Sequence, residues 1–247
     1  MRLPFLLAIC LLVCTGARAQ INSGTINYLE HREFEPWEGM SVEQRKRIER
    51  MKAEGDFDRT GQLTFDKDAF SYQQLPQAPD RSRRGGWWWG SDSENPDVYY
   101  TSIRDSTVTD KRQIMDRSFI MQDKWLVPEW EIPANQQMNM AYTLPSKLAF
   151  TVSPEGDTLT AYFTETIPLG VGPRGYGGLP GAIVYLKVQN EGAYTEYTMQ
   201  TMVPNPEELS LEQPTEGDKI SREKFNKVAE KRREVMERRR RGWERDY

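Results

Sequence analysis

The sequence predicts a mainly β protein, a β-rich α+β fold: one curved antiparallel sheet or open barrel, an N-terminal-half helix and a C-terminal amphipathic helix. Three observations carry that reading. Thr158 to Ile167 alternates strictly, with Leu159, Ala161, Phe163 and Ile167 on one face and Thr158, Thr160, Tyr162, Thr164 and Thr166 on the other, the pattern of a half-buried antiparallel strand. Ile183 to Val188 and Tyr194 to Val203 flank Asn190-Glu191-Gly192, a hairpin turn. Between these strands, Gly170 to Val188 (GVGPRGYGGLPGAIVYLKV) packs six glycines and two prolines into its first dozen residues and then breaks into a β-branched run. Glycine tolerates positive φ and proline fixes φ, so this is a rigid bend feeding a strand. Its candidate bend-forming residues are Gly172, Pro173, Gly177, Gly178, Leu179, Pro180 and Gly181.

In chain order, residues 1–19 read as a signal peptide. Arg2 gives the positive start, Leu3 to Val13 the apolar run, and Ala17-Arg18-Ala19 a cleavage site before Gln20. The run is too short to span a bilayer, and no other stretch could span one. Val13 stands where lipidation of Cys14 would need a small residue, which argues against an acyl anchor. Both cysteines, Cys10 and Cys14, fall inside this segment, so the mature chain is expected to hold no disulfide, no thiol nucleophile and no zinc–cysteine site. Residues 20–217 read as the β-rich domain and 218–247 as a basic amphipathic helix and tail, with twelve Lys and Arg against seven Asp and Glu in an otherwise acidic chain.

Ile21 to Arg32 is a first strand with Ile26 and Tyr28 on one face. Ser41 and Gln44 form a capping box and Gly55 a stop, which predicts a surface helix over Val42 to Glu54 with a thin stripe of Val42, Ile48 and Met51. Gln62 to Tyr72 reads as strand, and 76–97 as a long loop insertion holding Trp87, Trp88 and Trp89 beside Arg81, Arg83 and Arg84. Strand resumes at VYYTSIR and again over Arg112 to Gln122, followed by a Trp125/Trp130 segment broken by Pro128 and Pro133. Leu148 to Val152 leads through Pro154-Glu155-Gly156-Asp157 into the alternating strand. At the far end Ser221 caps a helix with Ile220 and Phe225 as its staple; Phe225, Val228, Ala229, Val235 and Met236 form its apolar stripe, and Arg238 to Arg241 a solvated basic end.

Four patterns bear on chemistry. Gly170 to Gly175 satisfies G-x-G-x-x-G, but a strand follows where a dinucleotide site needs a helix, and Pro173 lacks an N–H; the residues read as a bend. Asp56 to Gly61 opens like a calcium loop, yet its twelfth position is Lys67 instead of glutamate, so these acids read as a helix-to-strand turn. His31, the sole histidine, shows no partner or nucleophile in the sequence and reads as an exposed residue at a strand end. The tryptophan triplet is a candidate contact surface, since aromatics beside arginine stack on sugars, enter lipid interfaces or anchor protein contacts; an incidental loop insertion is the plainer reading.

The order GP, GGLPG, AIVYLKV resembles the signature of the GLPGLI family of Gram-negative envelope proteins, with Ala182 in place of the usual leucine. GTINYLEHR is similar to that family's first strand, TVTDKRQIMDRSFIMQDKWLVPEWEI to its central region, TAYFTETIPLGVGPRGYGGLPGAIVYL to its core block, and KISREKFNKVAEKRRE to its end. The family's Gly-Tyr-x-Cys-x-Lys-Ala run is here MAYTLPSKLAF, without cysteine, and Tyr162 replaces a usual tryptophan. The resemblance implies a β-rich envelope protein and no established activity. The resulting expectation is an exported accessory or binding protein of the periplasm or outer membrane, without cofactor, metal or nucleic-acid partner. The expected partner is an outer-membrane transporter or assembly machine, or a lipid ligand. A periplasmic carrier of a lipid or other apolar ligand, and a carboxylate-based hydrolase, stand as alternatives.

Overall fold

A computed structural model describes residues 21–34, 39–76, 96–136, 138–141, 144–153, 156–190, 192–205 and 211–243. The expected signal peptide at 1–19, the tryptophan triplet Trp87, Trp88 and Trp89, and the side chains of Met236, Arg239, Arg240 and Arg241 lie outside the described residues.

Alternating side chains produce β1 (Gly24–Phe34), in which Gly24, Ile26, Tyr28 and Glu30 are buried and their neighbours half-exposed. Helix α1 (Val42–Ala53) follows, with Ser41 and Gln44 in a reciprocal capping box and no residue buried, as a thin stripe requires. Then come β2 (Asp58–Phe65), β3 (Ala69–Gln74), β4 (Val98–Ser102), β5 (Thr107–Ile114) and β6 (Arg117–Lys124). The second half supplies β7 (Asn139–Ala141), β8 (Leu144–Val152), β9 (Thr158–Thr164), β10 (Ala182–Asn190), β11 (Ala193–Pro204), β12 (Asp218–Lys219) and α2 (Arg222–Trp243).

Two expected single strands are hairpins. Gln62 to Tyr72 splits because the Asp66 carboxylate accepts from the backbone N–H groups of Asp68 and Ala69 at 2.8 and 2.7 Å, closing a turn between β2 and β3. Arg112 to Gln122 splits at Met115, whose φ of 61° turns β5 into β6. Across each turn the inward-facing positions change parity, from Leu63 and Phe65 to Phe70 and Tyr72 in the first.

The strands form one open sheet in the order β12-β6-β5-β4-β3-β2-β1-β11-β10-β9-β8-β7. Two antiparallel meanders meet along β1 and β11, which pair over their full lengths with one register shift at Asn27/Tyr28. The short β12 alone is parallel to its neighbour, β6. Chain length dictates how the sheet must bend. Lys124 ends β6, and Glu131 already bridges Phe150 of β8 through backbone hydrogen bonds of 2.9 and 3.0 Å. The intervening chain spans at most about 25 Å when extended. In a flat sheet the nine spacings from β6 to β8 would separate them by about 43 Å. The sheet is therefore strongly curved, and its concave face holds the core: Ile26, Tyr28, Leu63, Phe65, Phe70, Tyr72, Leu159, Ala161, Phe163 and Leu186. The convex face is polar. On it Gln62 donates to Asn27 at 3.2 Å and Asn27 to Thr201 at 3.0 Å, a ladder across three strands.

At the β6 end α2 docks through Phe225, whose ring meets Phe119 edge-on at 5.8 Å and packs with Met121, flanked by Ile114, Ile220 and Ala229. Arg222 donates to Asp110 and Asp123, each at 2.8 Å. Burial pushes the Asp110 carboxyl up, and Arg222 works in the opposite direction. The expected apolar stripe is cut short: Val228 and Val235 are 38% and 37% exposed. Among the described side chains of the helix, Phe225 and Ala229 are those that pack on the β6 cluster. Phe225→Ala is thus expected to destabilise the protein by about 3 kcal/mol in urea titration, the cost of emptying a buried aromatic site, while ending the chain after Lys231 leaves the melting midpoint unchanged. A large loss on that truncation would mean that the outer turns are packed after all.

Candidate functional site

The 17 residues between Thr164 and Ala182, partners in the β9–β10 ladder, do not close a tight hairpin. They fold back over the concave face, where Ile167, Val171 and Leu179 enter the core and a 3-10 turn, Pro173–Gly175, reaches β2, β3 and β4. Backbone hydrogen bonds hold the bend to itself: Gly178 N–H to Gly170 C=O at 2.9 Å, Ala182 N–H to Ile167 C=O at 3.0 Å and Ile183 N–H to Val171 C=O at 2.9 Å.

Each of the bend-forming residues singled out in the sequence has a definable place. Gly172 is extended and leads into buried Pro173; Gly177 lies against the Gly170 carbonyl; Leu179 is buried; Pro180 is exposed. The glycine requirement is sharpest at two positions. Gly178 has φ +83° and a Cβ there would run into the Val127 side chain. Gly181 has no room above the Thr164 carbonyl, which a Cβ would overlap. Pro173, Gly175 and their neighbours form a turn before a strand, so the G-x-G-x-x-G pattern here does not open a helix.

Two indoles clamp the bend from the segment joining β6 to β7. Trp125 Nε1 donates to the Gly175 carbonyl at 3.1 Å, and Trp130 Nε1 to the Gly177 carbonyl at 2.9 Å. From below, the buried Tyr28 hydroxyl donates to the Ile183 carbonyl at 2.6 Å. Glycine's lack of a side chain is what lets the rings come so near the backbone.

At the tip of the bend sits a charge pair. Arg174 adopts a left-handed conformation, φ 51° and ψ 32°, followed by Gly175 at φ +83°. Its Nη2 donates to Glu30 Oε1 at 2.7 Å, and Glu30 is 1% exposed. The second carboxylate oxygen, Oε2, accepts from Gln74 Nε2 at 2.9 Å and Tyr72 Oη at 3.2 Å. Tyrosine rings surround the pair: the Arg174 guanidinium lies 5.3 Å from the Tyr99 ring centre and 6.0 Å from that of Tyr197, and Tyr72 meets Tyr28, Tyr99 and Tyr197 at 6.2–6.4 Å. Tyr72 reaches Glu30 because Gly61 leaves its side-chain space to the phenol. Burial holds the hydroxyls of Tyr72 and Tyr197 well above their ordinary pKa, with the Glu30 charge adding to it. Burial also opposes the charge on Arg174, but the tyrosines and Glu30 outweigh that and keep it protonated.

Three donors hold Glu30 in place, one on Oε1 and two on Oε2, and the pair positions the bend. Sequence reading passed over it. A signal existed: Glu30 continues the Ile26, Tyr28 face of β1, and Arg174 is the one charged residue between Glu165 and Lys187.

His31 differs from its expected role as an exposed residue at a strand end. It lies inside β1, half-buried on the convex face, with Nδ1 2.6 Å from Asp58 Oδ1 and Nε2 3.5 Å from Glu33 Oε2. The partner was hidden because Asp58 meets His31 only through the β1–β2 register. Both ring nitrogens face carboxylates. Asp56 sits where α1 gives way to β2, after Gly55 at φ +71°, and no group of three or more metal-ligating side chains forms among the described residues.

Comparison with known proteins adds one local match. Residues 113–185 fit the model of a family described as "Protein of unknown function (Porph_ging)". The matched span includes the bend, Arg174 and both clamping tryptophans, but not Glu30. No curated protein matches the chain in sequence. Among solved structures, PNGF-II in a P21 crystal form superposes with a TM-score of 0.50 at 10% identity, covering 83% of this chain and 32% of that one. A C2 form of PNGF-II gives 0.49 at 11% identity with the same coverage. The chain thus spans about a third of the length of those proteins, and the first match is a likeness of fold.

Two outcomes follow from this geometry. Glu30→Ala leaves a buried guanidinium unpaired and should cost about 3–5 kcal/mol, whereas Glu30→Leu combined with Arg174→Leu should recover much of that loss, because no uncompensated charge remains. Urea titration of the single and double variants checks it; a single variant within ~1 kcal/mol of wild type would show the pair to be dispensable. Separately, Gly181→Val should lower stability by about 1–3 kcal/mol through displacement of the Thr164 carbonyl, and an unchanged melt would contradict the close approach.

Proposed function

We propose that this protein is an exported cell-envelope accessory protein that acts by binding, of the GLPGLI kind, and that it serves an outer-membrane protein partner. The observation that carries the reading is an apolar ridge on the segment that clamps the bend. Leu126, Val127 and Ile132 are 68%, 45% and 37% exposed, while Trp125 and Trp130 beside them are fixed by their hydrogen bonds to Gly175 and Gly177. Exposed apolar side chains on a braced backbone present contact area without an ordering cost, which is what a protein-binding surface requires. The signal-like N-terminus and the resemblance of the core block support an envelope location. The burial of Glu30 under three donors favours binding over the carboxylate-hydrolase alternative, and the filled concave face favours it over an apolar carrier, since large side chains such as Tyr28, Phe65, Phe70 and Phe163 occupy the space a lumen would need.

The test is retention in the outer-membrane fraction. Leu126→Ser with Ile132→Ser should leave the melting temperature unchanged and reduce co-sedimentation and cross-linking to an outer-membrane protein at least tenfold. Equal retention would remove the ridge from consideration, and co-purifying lipid in native mass spectrometry would favour the carrier.

A further inference from the structure

An open sheet has two edges, and each presents a row of backbone N–H and C=O groups that another strand can take up. At one edge β12 pairs with β6 and α2 packs beside it. At the other edge β7 reaches only Leu144–Ser146 of β8, which runs on to Val152. Phe150 is covered there by main chain: it exchanges a pair of hydrogen bonds with Glu131, 2.9 and 3.0 Å long. Leu148, two residues back and facing the same edge, is met by a side chain instead. Its N–H donates to Gln136 Oε1 at 2.5 Å, and its C=O accepts from Gln136 Nε2 at 3.0 Å. A carboxamide carries the same C=O and N–H as a peptide group, and here it takes the place of one. Gln136 Nε2 also donates to the Pro133 C=O at 3.2 Å, which fixes the orientation of the amide.

The chain itself cannot supply this rung. After Glu131 it turns at Ala134 and Asn135 before β7 begins at Asn139, and Pro133 has no N–H to give. The strand behind the carboxamide is of a kind that pairs readily: Leu148 to Val152 reads LAFTV, without charge, proline or glycine. Met138 and Val152, 60% and 62% exposed, add apolar side chains to this end of the sheet. We propose that Gln136 holds closed a strand-addition edge on β8, and that the occupant it excludes is a second copy of this chain, joined by antiparallel pairing of the two β8 strands. Identical strands that pair antiparallel are related by a two-fold axis, so each copy offers the other the same row of groups and the dimer closes. The proposal rests on the hydrogen bonds of this edge and does not depend on the envelope reading.

The test uses purified mature protein, with amide hydrogen exchange and sedimentation as the two measurements. In the wild type the Leu148 and Phe150 amides should both be protected. Gln136→Ala should speed Leu148 exchange at least tenfold in dilute solution and leave Phe150 protected. It should also dimerise at a concentration at least tenfold lower than the wild type requires. In that dimer the Leu148 amide should be protected again, because the neighbouring strand supplies the missing rung. Gln136→Leu, which removes the polar atoms and keeps most of the bulk, carries the same expectation and serves should the alanine variant not fold. An unchanged Leu148 amide in the folded variants would overturn the proposal. So would variants that open Leu148 and stay monomeric, association that leaves Leu148 unprotected, or a wild type that associates as readily as the variants.

Discussion

A carboxylate with 1% of its surface exposed has to be paired, and in this protein the partner comes from the other end of the domain. Glu30 lies on β1, Arg174 at the tip of a bend that leaves the sheet at β9 and returns at β10. Their contact fixes where the bend lands on the concave face. Once Arg174 is seated, Gly175 and Gly177 present their carbonyls to Trp125 and Trp130, and the chain crossing from β6 to β8 is held over the bend. Glycine, arginine and tryptophan act here as one device: the first gives clearance, the second a fixed landing point, the third a clamp.

Curvature and filling are two sides of the same constraint. A sheet of twelve strands rolled this tightly encloses a volume, and an enclosed apolar volume must be filled or it costs stability. Part of the filling comes from large side chains of both meanders, Tyr28, Phe65, Phe70, Tyr72 and Phe163. The remainder is the bend, whose Ile167, Val171 and Leu179 belong to the same cluster. The tyrosines give the filling a polar rim at which a buried charge pair can be hydrogen-bonded, which a purely aliphatic core would not tolerate.

The sequence made the local elements readable. Strict alternation marked β9, the Asn-Glu-Gly turn marked the β10–β11 hairpin, and Ser41 with Gln44 marked the start of α1; each rests on neighbours within a few residues. The turns at Asp66 and Met115 are only three and two residues long and escaped for that reason, although the inward-facing positions change from odd to even across the first, Leu63 and Phe65 giving way to Phe70 and Tyr72. The density of glycine and proline pointed to the bend, but not to what lies beneath it. Glu30, Tyr72, Tyr99 and Tyr197 reach Arg174 only through strand register, and the partners of His31 come the same way through the pairing of β1 with β2. No spacing along the chain encodes such contacts. The C-terminal stripe held only in part: Val228 and Val235 have the right period but are exposed, and contact with β6 is made by Phe225 and Ala229.

The span that fits the uncharacterised family divides the device in an instructive way. Residues 113–185 contain the bend, both indole clamps, Val127 over Gly178 and Thr164 under Gly181. Most of these contacts end on main-chain atoms of the bend, so the span supplies much of the bend's geometry from within itself. What it lacks is the charge. Glu30, Gln74 and the tyrosines of β3 and β4 lie upstream, on strands that complete the concave face only when β1 pairs with β11. Closing the bend therefore couples the two meanders: the backbone contacts shape it, and the ion pair ties it to the opposite half of the sheet.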